Sequence, residues 1–199
     1  MTGIGKQAKI LTAHQEKHVI SHLSKNTRMP EKNLVMFLLS VKAGLRAKEI
    51  AEVSWCDVLI DDEVSDNINI TNSVSKGSNG GRIIPLNKDL KKALADLWEI
   101  RRQKISNTNL KIIYNQSGNS CSANSVVRWF FKLYEKMGYS GVSSHSGRRT
   151  AITRMARKIS TVGGSLKDIQ EIAGHSSIQN TQRYIDSNKA AKQKVVDLV

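Results

Sequence analysis

The sequence predicts a mainly α-helical fold with a small antiparallel β-hairpin, all within one compact domain. Apolar residues recur three and four positions apart along most of the chain, as at Leu34, Phe37 and Leu38, which is the spacing of a buried helix face. Between residues 55 and 86 the pattern changes, because "NINIT" alternates, "RIIPL" is a short apolar run, and "SKGSNGG" between them holds turn-forming residues. A length of 199 residues suits one domain with a sizeable core.

In the N-terminal half, three helices are predicted before the strands. Thr12 is expected to cap a helix that runs to about Leu23. Pro30 suits the first turn of a second helix, which Gly44 ends, and "RAKEIAEV" opens a short third helix. Two antiparallel strands joined by a loop follow, with a third strand expected near residues 58–60.

The C-terminal half is predicted to be helical apart from one short strand at "KIIY". Helices are expected over "KDLKKALADLWEIRRQK" and "SANSVVRWFFKLYEKMG", and from Ser144 onward with interruptions at "TVGG" and "AGHSS". In the first two of these helices, the residues expected to face inward are Leu90, Leu94, Leu97, Trp98, Val126, Trp129, Phe130 and Leu133.

The charge balance indicates a polyanionic partner. The chain has 31 Lys and Arg against 17 Asp and Glu, a net charge of +14, and domains this basic commonly bind nucleic acid. A merely basic surface is the alternative explanation.

The two cysteines, Cys56 and Cys121, stand far apart, which favours ordinary thiols in a reducing cytoplasm over a disulfide framework or a zinc site. No apolar run approaches the roughly 20 residues of a membrane span, so we expect no membrane partner.

Four short segments hold residues suited to chemistry on an anion: "AGLRAKEI", the turn "SKGSNGG", "SSHSGRRTAITRMARK" and "GHSSIQNTQRYID". Their candidate residues are Arg46, Lys76, His145, Arg148, His175 and Tyr184. The third segment also carries candidates for DNA contacts, which are Arg149, Arg154, Arg157 and Lys158. Taken singly, each segment is also explained as a solvated basic face or an ordinary helix start.

Together these residues fit phosphoryl transfer better than other reactions. The set has no carboxylate, which argues against carboxylate acid–base hydrolysis and against a Mg²⁺ site. His145 and His175 lack a third zinc ligand, so we expect neither a metal nor another cofactor. Arginine forks match phosphate oxygens, a histidine donates hydrogen bonds or moves protons, and a tyrosine attacks once its proton is removed.

In order and spacing, the four segments resemble the tyrosine recombinase (phage integrase) family. "GLRAKEI" resembles the family's first arginine box, "SKGSNGGRIIPL" the hairpin that carries its lysine, and "HSGRRT" its H-x-x-R box. "GHSSIQNTQRYI" resembles the box in which the tyrosine follows the histidine by nine residues. The resemblance extends from Gly44 to Ile185 and implies the fold of that family's catalytic domain, a DNA breaking–rejoining fold.

The resemblance also implies a reaction and a role for each candidate. Tyr184 would attack one strand of duplex DNA, form a 3′-phosphotyrosyl bond and release a 5′-hydroxyl, and a new 5′-hydroxyl would reverse the step without ATP or metal. Arg46 and Arg148 would clamp the scissile phosphate, and His175 would donate a hydrogen bond to it. Lys76 would protonate the 5′-oxygen, and His145 would assist proton transfer.

Some positions depart from the family pattern. The loop after Lys76 is one residue longer than the usual K-G-x-x-x-R spacing, and Ala173 stands where a leucine is usual. Arg149 stands where a histidine is common, and Glu49 fits the arginine box as a structural residue.

The resemblance leads to expectations about domains and partners. We expect a flexible N-terminus at 1–10, a catalytic domain at 11–187 and a tail at 188–199. The tail either docks on a neighbouring subunit, as the resemblance implies, or folds onto its own domain. Family members usually carry a further N-terminal helical domain, whereas the catalytic domain expected here begins near Leu11. In this respect the chain is similar to the short recombinases that invert fimbrial promoters, and a trimmed chain is the alternative explanation. Expected partners are duplex DNA, further copies in a tetrameric synapse and accessory DNA-bending proteins, in the cytoplasm at the nucleoid.

Two other functions stay open at this point. A type IB topoisomerase or telomere resolvase shares the arginine, lysine and tyrosine chemistry but rejoins the same strand or makes hairpins. An inactive DNA-binding regulator on a recombinase scaffold is the alternative from another class, and it would be expected to have lost one of the six candidate residues.

Overall fold

The computed structural model describes residues 8–71, 81–105 and 107–184. Its longer helices are α1 (Ala13–Asn26), α2 (Pro30–Val41), α3 (Ala47–Glu52), α4 (Lys88–Arg101), α5 (Ala123–Lys136), α6 (Ser144–Lys158), α7 (Leu166–Ala173) and α8 (Ile178–Gln182). Short 3₁₀ turns lie at Trp55–Asp57, Arg102–Lys104 and Ile159–Val162. The strands are β1 (Leu59–Ile60), β2 (Glu63–Val64), β3 (Asn67–Ile70) and β4 (Arg82–Pro85). The predicted mainly helical fold with a small antiparallel sheet is confirmed.

The helices begin where local chemistry satisfies their free backbone N–H groups. The Thr12 hydroxyl accepts from the backbone N–H of Gln15, whose side chain accepts from Thr12 in return, so the predicted cap of α1 is confirmed. Pro30 opens α2 as predicted. Ser143 caps α6 through its hydroxyl, which fixes the start of the helix that carries His145 and Arg148.

The strands form two separate antiparallel pairs. β1 pairs with β2, and β3 pairs with β4 with Ile68 opposite Ile84. The predicted third strand near residues 58–60 therefore exists as β1, although it does not join β3 and β4. The strand predicted at "KIIY" is wrong, because Lys111 and Tyr114 make only isolated bridges, to Ser54 and Ser120.

One large apolar core surrounds α2. This helix is buried on nearly every side and packs against α1, α4 and α6. The indole rings of Trp55 and Trp98 pack within this core, with centroids 4.8 Å apart. Of the eight residues predicted to face inward on α4 and α5, seven are buried and Trp129 is partly buried. Among the helices of the described residues, none is both long and apolar enough to cross a membrane.

Candidate active site

A cleft of about 760 Å³ lies where the N-terminal ends of α3 and α6 meet the segment from Gly174 to Tyr184. The structure brings five of the six predicted residues together in it, along with one predicted DNA contact, so that its lining includes Arg46, His145, Arg148, Arg149, His175 and Tyr184. The sixth, Lys76, lies outside the described residues.

Arg148 lies at the floor of the cleft, held by the main chain. Only 5% of its surface is exposed, and its Nη1 and Nη2 donate to the carbonyl oxygens of Gly44, at 2.6 Å, and Ala173, at 2.8 Å. Burial, and then the neighbouring charge of Arg46, lowers the pKa of Arg148 to about 10. The guanidinium therefore remains charged at neutral pH, and its orientation is fixed before any ligand arrives.

Arg46 reaches the same cleft from the start of α3. Its Nη1 lies 2.9 Å from Oε1 of Glu49, and its Nη2 donates to the carbonyl oxygen of Gly174 at 3.3 Å. Arg46 and Arg148 thus bind adjacent carbonyls, those of Gly174 and Ala173, at the C-terminal end of α7. The partial negative charge of a helix C-terminus favours two cations at this position.

Arg82 lies behind Arg46 and shares its partner Glu49, a role that sequence reasoning missed. Its guanidinium forms a bidentate pair with Glu49, at 2.9 and 3.0 Å, and its Nε donates to the carbonyl oxygen of Ile172 at 2.9 Å. Burial acts to raise the pKa of Glu49, but the hydrogen bonds and charges of Arg82 and Arg46 outweigh it, so that this pKa lies below its ordinary value. The segment "KGSNGGR" ends at Arg82 and is the sequence signal for it, although the motif by itself indicates only the lysine.

His175 and Tyr184 stand side by side. Their rings are stacked, with centroids 5.6 Å apart and planes 18° apart. Nδ1 of His175 lies 2.9 Å from the hydroxyl oxygen of Thr181, another residue that sequence reasoning missed. Burial, followed by the positive charges of Arg148 and Arg46, lowers the pKa of His175 to about 4. At neutral pH this imidazole is therefore uncharged.

The other two cleft residues of α6 lie near its start. His145 is exposed, and its backbone N–H donates to the capping hydroxyl of Ser143 at 3.3 Å. Nε of Arg149 is buried and has no hydrogen-bond partner within the described part of the chain. A buried donor without a partner is costly unless a ligand satisfies it, which suits a surface that binds an anion.

The remaining predicted DNA contacts on α6 lie outside the cleft lining. Arg154 pairs with the buried carboxylate of Glu16 on α1 and donates to the carbonyl oxygen of Leu11. Arg157 and Lys158 are exposed in the last turn of α6. Within the described residues, no three His, Cys, Asp or Glu side chains are grouped so that they could hold a metal ion.

Comparison with known proteins identifies the family. The sequence model of the phage integrase family matches residues 9–191. The chain belongs to the phage integrase family. The predicted domain limits, 11 and 187, stay predictions, and the predicted tail at 188–199 lies outside the described residues.

Relatives of this integrase-family chain include tyrosine recombinases of bacteria. It is 29% identical to tyrosine recombinase XerC of Corynebacterium glutamicum over 147 residues, which are 73% of this chain and 44% of the relative. It is 26% identical to tyrosine recombinase XerD of Rickettsia bellii over 183 residues, 90% of this chain and 60% of the relative. The chain thus spans about half the length of the relatives it matches.

Solved structures confirm the predicted fold, that of a tyrosine recombinase catalytic domain. The XerA recombinase superposes with a TM-score of 0.70 at 23% identity, over 95% of this chain and 64% of that one. The Tn1549 transposon integrase, solved in complex with a circular intermediate DNA, superposes with a TM-score of 0.74 at 20% identity, over 100% of this chain and 68% of that one.

Proposed function

We propose that the chain is a site-specific DNA recombinase that cleaves and rejoins DNA through a tyrosine nucleophile. The observation that carries this proposal is the convergence of Arg46, Arg148 and His175 on Tyr184 within one cleft. Membership of the phage integrase family and likeness to tyrosine recombinases named XerC and XerD support it.

In the proposed reaction, the hydroxyl of Tyr184 attacks the scissile phosphodiester and the 5′-oxygen of the next nucleotide leaves. The bond formed is a 3′-phosphotyrosyl ester, and the proton lost by the tyrosine passes to a base, for which the exposed His145 is the candidate. The departing 5′-oxygen takes a proton from Lys76. A 5′-hydroxyl from the partner strand then attacks the ester, which releases Tyr184 and completes strand exchange.

The electrostatics of the cleft suit this transition state. Phosphoryl transfer places negative charge on the non-bridging oxygens, and fixed donors stabilise that charge without reorganising. Arg148 and Arg46 are already held by carbonyls and by Glu49, so little side-chain entropy is lost when a phosphate binds. Because His175 is uncharged, it would act toward the phosphate as a neutral hydrogen-bond donor.

Duplex DNA is the proposed substrate. The net charge of +14 favours a polyanion, and Arg149, whose buried Nε has no partner within the described residues, lines the cleft. The solved Tn1549 integrase and XerH recombinase are bound to DNA, and we propose the same partner for this chain.

Assembly of several copies into a tetrameric synapse, with help from DNA-bending proteins, is part of the same proposal. So are DNA contacts by Arg157 and Lys158, whereas Arg154 pairs with Glu16 and is proposed to serve the fold rather than to bind DNA.

The test begins with the capture of covalent protein–DNA adducts across the source genome, which identifies the cleaved site. A nicked duplex that carries this site should then trap the full chain as a covalent band on a denaturing gel. Tyr184→Phe should abolish the band and leave DNA binding nearly unchanged, because it removes one hydroxyl and little contact area. Tyr139→Phe is the matched control, since the Tyr139 hydroxyl contacts His18 outside the cleft, and its band should persist.

The same assay separates the alternatives. A covalent band that persists in Tyr184→Phe would remove this residue from the role of nucleophile. Relaxation of supercoiled plasmids that lack the site, with no strand exchange between two sites, would favour a topoisomerase. Tight site-specific binding with no adduct from the wild-type chain would favour an inactive regulator.

A further inference from the structure

Thr181 contacts both halves of the His175–Tyr184 pair. It lies in α8, and its side chain is fully buried, with 0% of the residue surface exposed. Its hydroxyl oxygen is 2.9 Å from Nδ1 of His175, and its carbonyl oxygen accepts from the backbone N–H of Tyr184 at 3.0 Å. One buried residue therefore holds the histidine ring and the backbone of the tyrosine in the same place.

The burial of Thr181 determines where the protons in this contact lie. A neutral imidazole has one N–H and one lone pair, and a threonine hydroxyl has a single hydrogen to donate. Within the described residues, the side chain of Thr181 bonds only to Nδ1 of His175, and the burial of Thr181 excludes water. If Nδ1 carried the ring proton, the threonine hydrogen would be left buried without an acceptor, which costs free energy.

The favoured arrangement therefore has the hydroxyl of Thr181 donating to Nδ1, with the ring proton on Nε2. We infer that Thr181 is a positioning residue that fixes His175 in its Nε2–H tautomer, so that Nε2 donates to a non-bridging oxygen of the scissile phosphate. This inference rests on the proposed function for its ligand, a phosphodiester. The tautomer itself follows from the contact alone.

The tautomer matters because the charge of His175 is suppressed. A protonated imidazole would donate from both nitrogens whatever its neighbours did. Burial and the surrounding arginines, however, hold the pKa of His175 near 4, and the ring is neutral at pH 7. In the neutral ring, the other tautomer would present a lone pair of Nε2 to a phosphate oxygen, which is repulsive. The buried hydroxyl thus decides whether His175 attracts or repels the substrate.

The tautomer can be measured in the free protein. We would label the histidine rings of the full chain with ¹⁵N, record long-range ¹H–¹⁵N correlations at pH 7, and assign His175 by comparison with His175→Gln. We expect Nδ1 of His175 to resonate as an unprotonated ring nitrogen and Nε2 as a protonated one. A protonated Nδ1 would overturn the inference, whatever the activity of the protein.

The effect on catalysis is tested with three variants on the nicked duplex that carries the mapped site. Thr181→Val keeps the shape and removes the hydroxyl, and should slow covalent cleavage by roughly 10-fold, by analogy with the loss of a group that orients a metal-bound histidine. Thr181→Ser keeps the donor and should cleave at nearly the wild-type rate. Thr153→Val, which alters another buried threonine on α6, should leave cleavage unchanged.

A double-mutant cycle separates positioning from a structural role. His175→Phe keeps an aromatic ring without nitrogen atoms, so that it has no tautomer for Thr181 to select. Thr181→Val should therefore cost much less in the His175→Phe background than in the wild type. Equal losses in the two backgrounds would overturn the positioning role. If the wild-type chain forms no adduct at all, the proposed function fails, while the nuclear magnetic resonance measurement still decides the tautomer.

Discussion

At the scale of single residues, Arg148 serves the cleft and the fold at once. Its two terminal nitrogens donate to carbonyls that lie 104 and 25 residues away in the chain. These carbonyls follow α2 and close α7, so the guanidinium also fastens two elements to α6. A lysine ammonium is a single point, and it cannot reproduce the planar fork that makes both contacts.

Arg148→Lys should therefore impair both activity and stability despite keeping the charge. We expect covalent cleavage to fall by about 10²-fold or more, as for the loss of one oxyanion donor. We also expect the free energy of unfolding to fall by about 2 kcal/mol, because at least one hydrogen bond from a charged donor is lost. Urea denaturation and the nicked-duplex assay measure the two effects, with the exposed Arg128→Lys as control. Near-wild-type cleavage by Arg148→Lys would show that the residue is only a structural charge.

The suppressed charge of His175 leads to a pH dependence whose sign is fixed. The unfolded chain protonates this histidine near pH 6.5, whereas the folded chain does so only near pH 4. Between these values the unfolded state binds the extra proton, so the stability contributed by neutral His175 is full above pH 6.5 and declines as the pH falls toward 4.

Melting temperatures at pH 7 and pH 5 test this dependence. From pH 7 to pH 5, the wild type should lose more stability than His175→Gln, which has no group to protonate. His14→Gln, on the exposed side of α1, should behave as the wild type does. Parallel losses in the wild type and in His175→Gln would contradict the lowered pKa.

At the scale of elements, Glu49 joins three parts of the fold behind the cleft. It lies in α3 with only 1% of its surface exposed, and it pairs with Arg46 beside it and with Arg82 on β4. Arg82 in turn holds the end of α7 through the carbonyl oxygen of Ile172. Strand β4 is thereby connected to Arg46 and to the end of α7, which precedes His175 in the chain.

Glu49→Gln should destabilise the protein more than a surface change does. The amide keeps the shape, but it leaves two buried or half-buried guanidiniums without their carboxylate, and the loss of one partner of a buried ion pair typically costs about 3 kcal/mol. The control is Glu52→Gln in the same helix, whose partly exposed pair with Lys111 contributes under about 1 kcal/mol. Urea denaturation at pH 7 compares the two variants. Equal small losses would mean that the network does not stabilise the fold.

The helix interface of α2 and α6 shows a second constraint at this scale. A methyl group at Gly147 would lie 2.2 Å from Oγ and 2.9 Å from Cβ of Ser40, and Oγ of Ser40 is itself buried without a hydrogen-bond partner in the described part of the chain. Gly147→Ala should cost about 1–3 kcal/mol through overpacking. Adding Ser40→Ala should recover part of the loss, because it removes the closest atom. Denaturation of the single and double variants tests this, and purely additive effects would contradict the clash.

Much of the fold and site could be predicted from the sequence because the signals were local. Thr12, Pro30 and the apolar faces of α4 and α5 act within one or two turns of a helix, and spacing within a single segment related His145 to Arg148. Thr181 was missed because its role depends on burial, and Arg82 because its partners lie in distant segments. The "KIIY" strand was wrong for the same reason, since pairing depends on which neighbours the chain brings alongside.

At the scale of the whole molecule, the positively charged side chains differ in whether a carboxylate already pairs with them. Arg149 lies in the cleft with a nitrogen that has no partner in the described residues, whereas Arg154, five residues along the same helix, pairs with Glu16. Glu16 also binds Lys42, and the hydrogen bonds and charges of both cations hold the pKa of this buried carboxyl below its ordinary value, although burial acts to raise it. Two arginines that look alike in the sequence thus stand in different electrostatic surroundings.

Salt titrations of DNA binding should distinguish these two arginines. A protein that neutralises phosphates releases counterions, so log K falls linearly with log salt, and the loss of one phosphate contact makes the slope shallower by about one. On a duplex that carries the mapped site, Arg149→Ala should show this reduction with little change in stability. Arg154→Ala should leave the slope nearly unchanged and lower the melting temperature, because Glu16 loses one of its two cations. A slope reduced equally by both substitutions would place Arg154 on the DNA and contradict the division that Glu16 imposes.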